Sequence, residues 1–257
     1  VSAGAVAEDD DHTPVTLTFL GTGNFLARDR YWNSFVIDGT VLVEPAPTVL
    51  PHLHRSGIPV GDIEVVVISH FHPDHTFGWP FFLLGSLEQR SGRDLYIVGP
   101  PGVRTFLDEM MALGGVTGVQ REAAKQLNVQ YVEVDGQWQK AGSLRFRAIE
   151  VEHVPHLRCY GYLFERGSRI IGYSGDTRTC AGLHELASAA DPLVLECDGQ
   201  HADGVHIPVT HMNEESMRAL RQQHPGTTFI LTHMGTEVDP SGMTDVIVPD
   251  DFAVLTV

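Results

Sequence analysis

Two kinds of hydrophobic patterning alternate along this chain. The first is the short apolar run, rich in β-branched residues and too brief for a helix. Ile63-Glu64-Val65-Val66-Val67-Ile68-Ser69 is the clearest case, and it predicts a strand buried on both faces. Similar runs predict strands over Val15 to Leu20, Asp94 to Val98, Val129 to Val134, Leu144 to Val151, Pro192 to Glu196 and Thr227 to Thr232. Ser34 to Asp38 and Thr40 to Val43 flank Asp38-Gly39, and Tyr160 to Glu165 and Arg169 to Tyr173 flank Arg166-Gly167, so both pairs read as hairpins. The second kind has helical spacing. Val103, Phe106, Leu107, Met110 and Met111 fall on one face of a helix over Val103 to Leu113, with the two methionines in the core. Further helices are predicted from Val49 to Ser56 before Gly57, beyond Pro80 through Leu87, over Leu183 to Ala190, and from Glu214 to about Gln223 behind an Asn213 cap. Hairpins dominate early, and strands alternate with helices later. That order suits an α/β (α+β) architecture of two mixed sheets face to face with helices outside.

The chemistry enters where the Val65 strand ends. His70-Phe71-His72-Pro73-Asp74-His75 holds four metal-ligand residue types in six positions. Pro73 stops ladder pairing, which places them on a turn at the strand's C-terminal end. Neutral imidazole with a nearby carboxylate suits zinc, iron or nickel. Three more candidates follow predicted strands in the same way: His153, Asp176 in Ser174-Gly175-Asp176-Thr177, and His233. His156, three residues after His153, also fits the gap before Tyr160. His153 is favoured because it directly ends its strand. Gly21-Thr22-Gly23-Asn24 reads as a turn, since no third glycine follows at a dinucleotide-binding spacing.

The hexapeptide and these strand-end residues resemble the metallo-β-lactamase superfamily from Val15 to about Gly235. Cys159-Tyr160-Gly161-Tyr162 makes the ribonuclease Z and small-phosphodiesterase branch the most similar. The resemblance implies an αββα sandwich and two divalent metal ions, zinc first, with manganese or iron as alternatives. It implies that His70, His72 and His153 hold one ion, that Asp74, His75 and His233 hold the other, and that Asp176 bridges them around a shared hydroxide. Leu195-Glu196-Cys197-Asp198 and His211-Met212-Asn213 resemble segments in which a glutamate orients a histidine near the scissile bond. Asp74, Glu196 and His211 are therefore the catalytic candidates, with Asp198 expected on the rim. Many relatives carry Asp-x-Gly where this chain has Glu44-Pro45-Ala46-Pro47, so the support around the ligands departs from the pattern. The implied reaction is hydrolysis of a small phosphodiester. A lactone, ester or thioester hydrolase would use the same ligands with an aromatic rim from Phe71, Trp79, Phe81 and Phe82. A non-hydrolytic or iron-dependent relative is the third alternative.

Composition narrows the partners. With 17 basic and 33 acidic residues among 257, the net charge of -16 argues against a polyanion surface. Leu113 to Tyr131 shows no basic arm, and Arg121 and Lys125 are offset by Glu122. Arg28, Arg30 and Arg158 form a rim sized for one or two phosphates. A small-molecule substrate is expected, with a homodimer as the compatible assembly and no polynucleotide or membrane partner. The length suits one domain over 13–257, preceded by a disordered acidic tail over 1–12. Three cysteines without metal spacing favour a reducing, cytoplasmic location. Val1 to Ala7 is too short and uncharged for a full signal peptide; a processed exported form is the alternative, since the sequence starts with Val and not Met. His12, His52, His54, His184 and His224 read as surface residues, and His201 and His206 as flanking a Gly-containing loop.

Overall fold

The computed structural model describes residues 14–89, 92–199 and 210–257. The tail over 1–12, His12, His201 and His206 lie outside the described residues. The first sheet contains β1 (Thr16–Gly21), β2 (Ser34–Ile37), β3 (Val41–Val43), β4 (Val65–Val67), β5 (Asp94–Gly99), β6 (Asn128–Glu133) and β14 (Val254–Thr256). Its order is β14-β1-β2-β3-β4-β5-β6. The second contains β7 (Trp138–Ala141), β8 (Leu144–Val151), β9 (Cys159–Arg166), β10 (Arg169–Tyr173), β11 (Leu193–Glu196), β12 (Phe229–Thr232) and β13 (Val246–Ile247). Its order is β13-β12-β11-β10-β9-β8-β7. Each sheet is antiparallel at one end and parallel at the other. The antiparallel pairs run from β14 to β3 and from β7 to β10, and the parallel ones from β3 to β6 and from β10 to β13.

Strict alternation sends successive side chains of each strand into different layers. Val65 and Val67 join Phe19, Phe35, Phe146, Tyr162, Phe164 and Tyr173 between the sheets. Val66 and Ile68 turn outward against α1 (Val49–Arg55), α3 (Trp79–Gln89) and α4 (Val103–Leu113), meeting Leu53, Trp79, Phe82 and Leu107. On the far side, Leu163, Leu193, Leu195 and Leu231 pack under α6 (Ala181–Ala189) and α7 (Glu214–Gln223). Burial on both faces is why these strands read as unbroken apolar runs. The Asn213 side chain caps α7 by accepting from the Ser216 N–H at 2.9 Å, while Ser216 Oγ accepts from the Asn213 N–H.

Several elements differ from the sequence reading. Pro73 does more than end pairing: it opens a four-residue helix, α2 (Pro73–Thr76), where its missing N–H costs nothing. α5 (Thr117–Gln126) fills a stretch for which the sequence predicts no element and packs on α3, with Ala123 as its buried residue. β7, β13 and β14 were absent from that reading. His52 is buried rather than on the surface, its ring 4.5 Å from Tyr31 and 5.0 Å from Phe252. His184 and His224 are half-buried and hydrogen-bonded to each other at 3.0 Å. Among the described residues no helix is long and apolar enough to cross a membrane.

Candidate metal centre

The topology aims the strand ends at one edge. β1, β3, β4 and β5 run in one direction in the first sheet, as β8, β10, β11 and β12 do in the second. Their C-terminal turns deliver Glu44, His70, His153, Asp176, Asp198 and His233, while Glu196 closes β11. Two of these residues, Glu44 at φ 59° and His233 at φ 51°, hold left-handed backbone, a conformation that costs a non-glycine residue energy and concentrates at functional sites. Gly175 adopts φ 58° under the Tyr160 carbonyl, with no room for a Cβ, and so sets the turn that presents Asp176.

The side chains converge closely. Ligand atoms of His70, His72, His153 and Asp176 lie within 4.8 Å of one another, as do those of Asp74, His75 and His233. A third such set joins Asp176, His211 and His233. Asp176 Oδ2 stands 3.7 Å from His70 Nε2, 3.3 Å from His75 Nε2, 4.0 Å from His153 Nε2 and 3.4 Å from His233 Nε2. Asp74 Oδ2 lies 3.3 Å from His75 Nε2 and 3.4 Å from His233 Nε2. Asp176 therefore stands between the two sets. His156 is exposed and joins none of them.

Neighbouring groups fix which ring nitrogens face inward. His153 Nδ1 donates to the Thr210 carbonyl at 3.0 Å, which turns Nε2 toward His72 Nδ1, 3.2 Å away. His70 Nδ1 pairs with Ser69 Oγ at 2.9 Å, freeing Nε2. Glu44 faces His75 Nδ1 at 3.6 Å, accepts the Ser69 N–H at 3.1 Å and takes the Tyr173 hydroxyl at 3.1 Å. Tyr173 in turn accepts from the Asn33 amide at 2.9 Å. The sequence alone assigns Glu44 no role; its place directly after β3, where the family resemblance implies an Asp, is the available signal.

Burial sets much of the electrostatics. It pushes His70 and His72 below the usual imidazole range and brings His153 down to about 4. Burial opposes charge on His75 and His233 too, but the Asp176 and Asp74 carboxylates outweigh it and raise both. Against its own burial, Asp176 is held well below the usual carboxylate range by His233 and His75, and Asp74 is lowered by His75 and His233.

A second carboxylate–histidine pair adjoins the cluster. His211 Nδ1 lies 3.0 Å from Glu196 Oε1, and its side chain is 18% exposed. Thr177 N–H donates to Glu196 Oε1 at 2.8 Å and Asp198 N–H to Oε2 at 3.2 Å, so the carboxylate is pinned at both oxygens. Burial disfavours a charged His211, but Glu196 prevails and raises it to about 10. Asp198 is only 2% exposed, not a rim residue; its side chain accepts from the Asn24 amide.

Comparison with known proteins agrees with this architecture. The family described as Anti-Pycsar protein Apyc1 matches residues 15–234. Ribonuclease Z of Mycobacterium marinum is 29% identical over 194 residues, covering 70% of this chain and 69% of its own. The anti-Pycsar protein Apyc1 of Bacillus phage vB_BsuM-Goe3 is 24% identical over 239 residues, covering 87% of this chain and 90% of its own. Human tRNase Z, short form, superposes with a TM-score of 0.72 at 21% identity, over 93% of this chain and 98% of its own. The fold, the convergent His/Asp cluster and the match over most of its length show a metal-dependent hydrolase of the metallo-β-lactamase superfamily, and the chain belongs to the anti-Pycsar protein Apyc1 family.

Proposed function

We propose that this protein is a dinuclear-metal phosphodiesterase acting on a cyclic nucleotide. One observation carries the reading: His70 Nε2, both ring nitrogens of His75, His233 Nδ1 and Asp176 Oδ1 are buried with no hydrogen-bond partner, inside a cluster of converging ligand atoms. Buried polar atoms left unpaired cost free energy, and a cation at the convergence would repay it for the inward-facing ones. Imidazole and carboxylate donors fit zinc, with manganese or iron as alternatives. His70, His72 and His153 would hold one ion, Asp74, His75 and His233 the other, with Asp176 shared. When bound, such ions supply Lewis acidity toward a phosphoryl group and an acidified water as nucleophile.

The chain's own residues do the rest. Glu196 holds the Nδ1–H of His211, so Nε2 faces the site and hands a proton to the departing oxygen. The family name and the ribonuclease Z relatives support a phosphodiester, and a cyclic nucleotide is the small one this family points to. The arginine rim offers little to a long polyanion. Arg30 is committed to Glu237 and Thr22, and Arg158 to Glu150; Arg28 alone is exposed with no ion pair among the described residues. Nor do the aromatic residues form a carboxyl-ester rim. Of the four that the sequence offers for it, Trp79 and Phe82 are core residues, Phe71 stacks on Phe106, and Phe81 alone is well exposed, at 58%.

Metal-loaded protein should hydrolyse a cyclic nucleoside monophosphate with kcat/KM of about 10⁴ M⁻¹s⁻¹ or more, within the ordinary enzyme range. Lactones, thioesters and precursor transfer RNA, assayed beside it at low salt, should be far poorer. Efficient, salt-sensitive cleavage of the RNA would overturn the reading. Carboxyl-ester turnover above phosphodiester turnover would replace it.

A further inference from the structure

Asp198 has no task in the reaction described so far, yet it is held with unusual completeness. Its N–H donates to Glu196 Oε2 at 3.2 Å, and its carbonyl accepts from the Gly235 N–H at 2.9 Å. Its Oδ1 accepts from the Asn24 amide, a fully buried side chain on the turn after β1. Position 235 admits no side chain, because a Cβ there would overlap both Asp198 Oδ1 and Asn24 Nδ2. Turns after three strands of two sheets thus fix one carboxylate.

The other oxygen, Oδ2, faces His211 Nε2 at 3.6 Å, beyond hydrogen-bond length. That nitrogen is the one opposite Glu196, the one assigned above to the departing oxygen. An ionised carboxylate at this spot repels a phosphoryl oxygen and has no proton to donate. What it can take is a hydrogen bond from a hydroxyl. In a nucleotide cyclised through its 3′ oxygen, the 2′-hydroxyl sits on the neighbouring carbon. A leaving oxygen at Nε2 would then bring the neighbouring hydroxyl beside Oδ2.

We infer that Asp198 is a specificity-determining residue that accepts a hydrogen bond from the hydroxyl next to the leaving oxygen, which makes the substrate a ribonucleotide rather than a 2′-deoxyribonucleotide. This rests on the reading of His211 as donor to the leaving oxygen. In the step, the oxygen of water forms a new bond to phosphorus, and the bond from phosphorus to the 3′ oxygen breaks with its electron pair. His211 Nε2 supplies the proton that the 3′ oxygen takes up, and the proton lost by water passes to solvent. The product is a 5′-monophosphate. A buried acceptor built for a substrate hydroxyl penalises the analogue lacking it, because the acceptor is left unpaired.

The experiment compares a 3′,5′-cyclic ribonucleotide with its 2′-deoxy counterpart on the same base, using metal-loaded protein. The wild type should favour the ribonucleotide by roughly 10- to 100-fold in kcat/KM, the range for one hydrogen bond to a charged group. Asp198→Ala should bring that ratio to within about threefold of unity, by losing far more on the ribonucleotide. Asp198→Asn keeps the side-chain shape and a carbonyl acceptor and should fall between. Metal content and melting temperature, measured alongside, identify a variant that has merely misfolded, and the wild-type ratio needs no variant. A wild-type ratio of one, a preference that survives in Asp198→Ala, or a 3′-monophosphate product would overturn the inference. If neither cyclic nucleotide turns over, the proposed function falls and takes the inference with it. If both turn over with a ratio of one, only the inference falls.

Discussion

Two imidazoles in this site face a carboxylate through Nδ1, and their surroundings differ beyond that. His75 is 1% exposed, with Glu44 at 3.6 Å from Nδ1 and with Asp74 and Asp176 each 3.3 Å from Nε2. His211 is 18% exposed at its side chain, with Glu196 at 3.0 Å from Nδ1, and its Nε2 looks onto Asp198 at 3.6 Å. Under the proposed function the same pairing serves two ends. Sealed among converging carboxylates, an imidazole would hold a cation; left partly open, it would meet substrate. Depth and the group beyond Nε2 separate the two, not the Glu–His pair itself.

The comparison is tested most severely at the open end. His211→Ala and Glu196→Ala should each lower kcat by roughly 10²- to 10⁴-fold on a substrate with a poor leaving group, the usual worth of a positioned acid. The double variant should lose little more than either single one, because a glutamate that works only through the histidine has nothing left to orient. An activated leaving group needs no proton, so the loss should shrink with it. Additive losses, or equal losses on both kinds of substrate, would dissolve the pair.

At the sealed end the readout moves from rate to metal. Glu44→Ala should weaken metal affinity by about 10- to 100-fold, as loss of an outer carboxylate commonly does. Competition against a chelator measures it, and the melting temperature at fixed metal should fall with it. Glu44 also accepts from Ser69 and Tyr173, so its loss strands buried donors. Glu44→Gln keeps acceptors for them while removing the charge that faces His75. Affinity that drops equally in both variants points to the charge. Affinity that drops in the alanine variant alone would make Glu44 a packing residue and break the parallel with Glu196.

What could be read in the sequence divides along the same physical line. Strands buried on both faces, such as β4, announce themselves, because every residue must be apolar. The hexapeptide and the strand-end positions of Asp176 and His233 were legible for a related reason: a turn after a buried strand is where the sheet ends. β13 and β14 are two and three residues long at sheet edges, and β7 is half exposed, so none carries a pattern. α5 buries only Ala123 fully, with Val119 partly buried beside it, and so carries too short an apolar stripe to read. Glu44 and Asp198 escaped for another reason. Their partners, His75 and Ser69 for one and Asn24 and Gly235 for the other, are distant in sequence, and only the folded edge brings them together.

The smallest expected effect concerns a third imidazole, one that lacks a carboxylate pressed against Nδ1. His52 was misread as a surface residue because its cover, Tyr31 and Phe252, comes from opposite ends of the chain. Burial lowers its pKa below 6.5, and Asp251 and the Leu20 backbone only partly oppose this. The fold therefore favours the neutral ring. The sign follows: that preference contributes stability in full above pH 6.5 and is lost as the pH falls through the lower, folded-state value. His52→Phe retains an aromatic ring between Tyr31 and Phe252 but cannot titrate. Urea unfolding of both proteins at pH above and below this window should show the wild type losing more stability on acidification than the variant. Equal losses would mean that His52 charges as readily in the folded protein as in the unfolded chain. Its contrast with His75, where burial is overruled by Asp176, Asp74 and Glu44, would then have to be abandoned.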